Sequence, residues 1–364
     1  MAGAIVLTGG GTGGHIFPML AVSDALQTGG VLPASLELVG SRRGQERRLW
    51  AGRPEVRRFL LGRGIVRSLH PRNILSAVQL KLSTLYCVGR CLFRRPAVVV
   101  SFGGYAAFPM AMAAGITRTP LVLVELDAVA SATNRVAARW ATRRCLAVGE
   151  ETERDAVTGA PVRADIETLD RSDEARERAR RALNIDTSTV VVVMTGSLGA
   201  RSVNMAVAKW VAAGLPDDVT VLHVTGRRDA ADVAQATMAA GDNYRRIDFA
   251  DNMPALWQAA DVAICRSGAT TVAELVAIAL PSVLVPLPGA PGDHQTHNAS
   301  ALAAVGGAVV IADRDVSASS LSSALSPWLA ESRSRLLAEA GLRQLRHPGA
   351  ATAIARVIRE VAHV

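Results

Sequence analysis

Residues 7 to 18 read LTGGGTGGHIFP, five glycines and two threonines closing on a histidine. Gly9, Gly11 and Gly14 fit G-x-G-x-x-G, a loop whose backbone N–H groups can approach an anion while the helix behind it adds its dipole. Three more stretches share this character: SFGGYAAFP (101–109), TGSLGARSVN (195–204) and CRSGATTVAEL (265–275). Each follows an apolar run and precedes a segment long enough for a helix. Four anion-friendly loops suit a diphosphate donor and a phosphorylated acceptor better than hydride transfer.

A dinucleotide site would also need an acid at the end of the second strand, about 20 residues on, to hold the ribose. Here that strand ends LVGSRRG, with Glu37 inside it and Arg42 and Arg43 where the acid should stand. Those arginines suit the 2′-phosphate of NADP, so an NADP-dependent reductase is the rival reading. A protein that binds a nucleotide or lipid without turnover is the other.

Asp293, His294 and His297 flank Gln295 in a Pro/Gly-rich loop. They read as a frame for Gln295 rather than as metal ligands, and no D-x-D pair lies in the glycine loops, so neither metal nor cofactor is expected. Cys87, Cys91, Cys145 and Cys265 lack paired C-x-x-C spacing and read as small buried apolar groups of a reducing compartment.

The elements that must carry these loops follow a simple grammar. Runs such as AIVLTGG, LELVGS, AVVVSFGG, LVLVELD and CLAVGE, then VVVVMTGS, TVLHVTG, DVAICRSG and SVLVPLP, alternate with helical stretches. That is the order of doubly wound parallel sheets, and it restarts in the second half. The 364 residues suffice for two domains, and 49% apolar with 4% aromatic content places the core on Ala, Val and Leu. The linker is expected around GAPVRADIETLD, before a charged helix, DEARERARRAL.

Charge is unevenly placed. Residues 1–165 hold 21 Lys/Arg against 11 Asp/Glu, a net of +10, and the remainder, 19 against 21, nets −2. A basic half suggests an anionic partner. Nucleic acid is not expected, because no recognition motif or interleaved aromatics accompany the charge. Residues 73–95, NILSAVQLKLSTLYCVGRCLFRR, contain no acid and carry Lys81, Arg90, Arg94 and Arg95. Gln79, Lys81 and Arg90 interrupt the roughly 20 apolar residues a membrane span needs. The segment reads as a buried helix or as a membrane-contacting surface.

Six stretches, TGGGTGGHIFPMLAV, FGGYAAFP, GAPVRADI, TGSLGARSVN, CRSGATTVAEL and DHQTHNA, occur in one order along the chain. In order and spacing the sequence resembles the MurG family of bacterial peptidoglycan glycosyltransferases, of the two-domain GT-B type. The resemblance implies two Rossmann-like domains facing a cleft: an acceptor- and membrane-side domain (1–163), a UDP-sugar-binding domain (164–340) and a helical tail (341–364). It implies inverting transfer of N-acetylglucosamine from UDP-GlcNAc to lipid I, making lipid II, by a peripheral protein on the cytoplasmic face of the anionic cell membrane.

By position, the resemblance implies that Thr12, Gly13 and Gly14 line the site near the donor sugar and diphosphate. Arg163 would meet the donor's phosphate or sugar side, Ser197 would hydrogen-bond the donor, and Ala250 would contact uracil through its backbone. Ala269, Thr270, Thr271, Val272, Ala273 and Glu274 would wrap the UDP, with Glu274 on the ribose hydroxyls, and Gln295 would contact the sugar. The acceptor hydroxyl needs a base; His15 and Asp127 are the candidates. His15 also reads as a loop brace or a phosphate contact, Glu274 as the end of a Thr271–Glu274 capping box.

Three departures bear on donor choice. Asp127 stands where the family commonly has an asparagine, in Val124-Glu125-Leu126-Asp127 against H-E-x-N; Leu198 and Ala160 replace a glutamine and another asparagine. A paralogue using another sugar nucleotide or acceptor is the alternative.

Overall fold

The computed structural model describes residues 3–62, 72–196 and 199–364. They form two compact units. One comprises Met1–Arg163 and His347–Val364, the other Ala164–Arg346.

In the first unit the strands are β1 (Ile5–Thr8), β2 (Leu36–Ser41), β3 (Val56–Leu60), β4 (Val98–Ser101), β5 (Leu121–Glu125), β6 (Arg143–Leu146) and β7 (Asp155–Val157). They pair in parallel in the order β3-β2-β1-β4-β5-β6-β7, with Leu7 opposite both Leu38 and Val100. The second unit contains β8 (Thr189–Met194), β9 (Val219–Val224), β10 (Tyr244–Ile247), β11 (Val262–Cys265), β12 (Ser282–Leu284) and β13 (Ala308–Val310), in the order β10-β9-β8-β11-β12-β13. Both sheets are parallel throughout. Strands covered on both faces must be apolar along their length, and Val190 to Val193 are fully buried.

The two expected Rossmann-like units are therefore present. In each, the chain turns outward in opposite directions from two central neighbours, β1 and β4 or β8 and β11. The carboxyl ends of such a pair frame the crevice where doubly wound sheets bind ligands. All four glycine loops follow these strands: 101–109 follows β4, and 265–275 follows β11.

The first helix begins at Gly13, with Pro18 inside it. At the other end, the helix Ser332–Arg343 stays with the second unit, while the helix Ala350–Ala362 packs on the first helix (Gly13–Thr28), its Arg359 donating to the Gly29 carbonyl at 3.1 Å. All four cysteines are buried, and burial pushes the Cys87 and Cys145 thiols up to about 12.

The basic segment is a helix, Arg72–Arg94, apolar on two sides. Leu80, Cys87 and Cys91 face inward, the cysteines in a cluster with Met110 and Ala113. Ile74, Leu75, Val78, Leu82, Leu85 and Tyr86 face outward, and Phe93 is 88% exposed. Arg90 is not on that outer face. It turns inward to an ion pair with Glu37, a buried carboxylate in β2 that also pairs with Arg58. Among the described residues no helix is long and apolar enough to cross a membrane.

Candidate active site

At the end of β1 the backbone turns through Gly10 and Gly11, both at positive φ. A Cβ on Gly11 would stand 2.6 Å from the Tyr105 ring, so glycine is required there twice over. Thr12 is the N-cap of the first helix, and its hydroxyl lies 3.3 Å from His15 Nδ1. The His15 ring borders the second glycine loop, 3.2 Å from where a Cβ on Gly104 would be. Gly13 lies against the Phe17 ring, and the Arg163 guanidinium stands 5.0 Å above that ring. Thr12, Gly13, Gly14, His15 and Arg163 are thus gathered around the start of one helix.

Asp127 lies half-buried in the loop after β5. Ser131, at the end of that loop, sits 2.7 Å from where a Cβ on Gly103 would be, so the loop borders the glycine pair that His15 touches. Its base is anchored by Glu125, whose carboxylate accepts from the Ser131 N–H at 3.3 Å. Burial raises the Glu125 carboxyl above the usual carboxylate range.

Two residues close this region in ways the sequence did not signal. Glu46, fully buried, accepts the Gly11 N–H at 2.8 Å and the Ser41 N–H at 2.9 Å through one oxygen. Tyr105 donates to the Ser41 hydroxyl at 3.3 Å. A dinucleotide phosphate would need the Gly11 N–H. The chain's own carboxylate already holds it, which removes the basis of the NADP reading; Arg42 and Arg43 are exposed beyond it.

In the second unit the helix Ala269–Ala277 starts directly from Gly268 as N-cap, with no acidic residue in its first turn. Thr271 is therefore the third helical residue, and the Thr271–Glu274 capping box does not form. Glu274 is buried and accepts from Trp257 Nε1 at 3.1 Å. Gln295 reaches the same place from the helix His294–Ala304: its Oε1 accepts the Leu287 N–H at 2.9 Å, and its Nε2 lies 3.9 Å from where a Cβ on Gly268 would be. Asn298 of that helix donates to the Ser267 carbonyl at 3.1 Å. The turn itself engages the neighbouring polar groups, His294 Nδ1 at 2.8 Å from the Pro291 carbonyl and Asp293 accepting from Thr296 at 2.8 Å.

Ala250 follows β10, half-buried beside Phe249, over which the Arg227 guanidinium stacks at 5.4 Å. Ser197, with Leu198, lies outside the described residues. The rest of its loop is framed by a buried amide. Asn204 donates to the Thr225 carbonyl at 2.8 Å and to Asp229 at 2.9 Å, and accepts from Thr195 at 3.1 Å. Its carbonyl also meets His223 Nε2 at 3.1 Å, and Tyr244 completes the chain at His223 Nδ1. Ala250, Ala269 to Glu274 and Gln295 all follow carboxyl ends of parallel strands, and so share one edge of the sheet.

Residues 5–145 match the glycosyltransferase family 28 N-terminal domain, and residues 190–352 match the C-terminal domain of the same family. The chain belongs to glycosyltransferase family 28. It is 38% identical over 98% of its length, and 96% of the relative's, to a Burkholderia multivorans protein named UDP-N-acetylglucosamine–N-acetylmuramyl-(pentapeptide) pyrophosphoryl-undecaprenol N-acetylglucosamine transferase. An Alkalilimnicola ehrlichii protein of the same name is 37% identical, covering 98% of this chain and 99% of that one. Among solved structures, Acinetobacter baumannii MurG is similar with a TM-score of 0.75 at 26% identity, covering 98% and 99% of the two chains. A UDP complex of S. aureus MnaA shares the fold, with a TM-score of 0.70 at 13% identity over 100% of this chain and 97% of that one. As a family 28 member this chain is a glycosyltransferase with the GT-B fold.

Proposed function

We propose that the chain transfers N-acetylglucosamine from UDP-GlcNAc to an undecaprenyl-diphosphate-linked N-acetylmuramoyl-pentapeptide, converting lipid I to lipid II. The observation that carries this reading is the 37–38% identity, over nearly the whole chain, to transferases named for that reaction. In it, the second unit takes the donor. UDP lies against Ala269 to Ala273 at the start of their helix, Glu274 meets the ribose, Gln295 the sugar and Ala250 the uracil, and Ser197 hydrogen-bonds the donor. The helix dipole and loop N–H groups stabilise charge on the departing UDP without a metal ion.

The first unit takes the acceptor. Thr12, Gly13 and Gly14 lie toward the donor sugar and diphosphate with Arg163, and His15 or Asp127 accepts the proton of the attacking hydroxyl. Attack at the anomeric carbon expels UDP and inverts configuration. Purified protein with UDP-GlcNAc and lipid I, without added metal, is expected to release UDP and form lipid II. UDP-GlcNAc binding with no turnover on lipid I would overturn the acceptor assignment. Asp127 supports one rival, a paralogue with another donor; preference for UDP-glucose, reversed by Asp127→Asn, would establish it.

The apolar outer face of the helix Arg72–Arg94, bordered by exposed Lys81, Arg94 and Arg95, fits docking on the anionic inner membrane face. Triple substitution of those three cations by Glu is expected to abolish salt-sensitive binding to anionic liposomes, and Phe93→Ser to weaken it. Binding unchanged by both would remove the docking. Arg90 is left out, because its partner is Glu37.

A further inference from the structure

We propose that Glu46 is a positioning residue for the transfer reaction, a resident carboxylate that holds the first glycine loop, with Thr12 and His15, in its working shape. The inference rests on the transferase reading above. One oxygen of Glu46 takes two N–H groups from different loops, Gly11 after β1 and Ser41 after β2. Three glycines clear the space it fills. A Cβ on Gly10 would overlap Glu46 Oε1, one on Gly44 would overlap Oε2, and one on Gly40 would lie 2.9 Å from Cγ. Gly40 and Gly44 are not at positive φ, so their backbone does not demand glycine; the carboxylate demands it at Gly44, and the Trp50 ring at 2.5 Å together with the Glu46 stem demands it at Gly40.

A buried carboxylate is costly and is retained where its contacts are specific. Its oxygen sits on the Gly11 N–H, just before the Thr12 N-cap of the first helix, where negative charge is favoured. By taking the Gly11 N–H it fixes the loop before any substrate arrives. The substrate then meets the side chains that the loop presents. Ser41 links the brace to Tyr105 and so to the second glycine loop. Reacting groups tolerate little misplacement, since an error of about 1 Å costs on the order of 100-fold in rate.

The test uses the full chain with UDP-GlcNAc and lipid I, read as kcat and KM, alongside calorimetric binding of UDP alone. Glu46→Ala is expected to lower kcat at least tenfold while the Kd for UDP stays within twofold. Glu46→Gln keeps an acceptor oxygen for both N–H groups and is expected to hold kcat within threefold of wild type. Gly44→Ala, which pushes the carboxylate out, should lower kcat in the wild-type chain and have no further effect beside Glu46→Ala. Undiminished turnover in Glu46→Ala, or a Gln variant as poor as the Ala variant, would overturn the positioning role.

If the wild-type chain does not turn over these substrates, the transferase reading falls instead. Amide exchange then decides the brace. Protection at Gly11 and Ser41 that drops at least tenfold in Glu46→Ala upholds it, and equal exchange rates in the two proteins remove it.

Discussion

The two units solve one problem with different chemistry. Each must hold a glycine loop at the carboxyl end of its central strand, β1 or β8. In the first unit the brace is a carboxylate, Glu46, seated on the loop's own N–H. In the second it is a neutral amide, Asn204, tied to Thr195, Thr225, Asp229 and His223. The nearby Asp229 is balanced by Arg228, which holds its carboxyl below the usual range. The first loop is thereby already loaded with an anion, although the helix behind it, like the helix after β11, has no acidic residue in its own first turn. A shared central strand order does not imply a shared brace: in one unit a carboxylate takes the Gly11 N–H, and in the other the Ala200 N–H donates to the Thr195 hydroxyl that Asn204 holds.

Substitution can break that contrast. Asn204→Ala strands several buried partners at once and is expected to cost about 2–4 kcal/mol, read as a lower denaturant midpoint. Asn204→Asp, which copies the first unit's choice, should also weaken UDP binding by adding a second anion there. A smaller loss, about 1.5–3 kcal/mol or roughly 10- to 150-fold in Kd for UDP, is expected for Glu274→Ala, from hydrogen bonds to a charged group. Glu46→Ala should leave that constant alone. Equal effects of the two on UDP affinity would erase the distinction between the units.

The effect of pH is the smallest near neutrality and grows with acidity. Burial lowers the His223 pKa from 6.5 to about 3. The unfolded chain takes up a proton near 6.5 and the folded one does not. The neutral network's contribution is therefore complete above pH 6.5 and is lost progressively toward pH 3, at up to about 1.4 kcal/mol per pH unit. Unfolding free energies of wild type and His223→Gln are expected to converge as pH falls through that window. Parallel curves would mean that His223 is not held neutral.

How far the sequence could be read follows from burial. Nine strands announce themselves as apolar runs, and these fill the middle of both sheets. The four unread, β3, β7, β10 and β13, are the four sheet edges. An edge has one neighbour and one open side, so it needs no long apolar strand: β3 is VRRFL, β10 is YRRI, and β7 and β13, DAV and AVV, have only three residues each. The glycine loops were legible because backbone demands leave glycines behind. Glu46 and Trp257 were not, because a single carboxylate or indole carries no local pattern; only the fold brings Glu46 to Gly11, 35 residues away, and Trp257 to Glu274. Arg90 shows the converse. Its charge was visible and its direction was not, since pairing with Glu37 depends on β2.

The edges of the two sheets have a consequence for the protein in a crowded solution. β3 and β10 occupy equivalent outer positions, and each places adjacent arginines at its centre, Arg57 with Arg58 and Arg245 with Arg246. These arms fold back on the protein: Arg57 donates to the Trp50 carbonyl at 2.8 Å, Arg58 pairs with Glu37, Arg245 caps the Leu183 and Asn184 carbonyls, and Arg246 pairs with Asp248. A foreign strand that tried to extend either sheet would have to displace them and press its backbone against two cations. At β3 and β10 each sheet thus ends in a guarded margin, which works against joining of sheets along those two edges at high concentration.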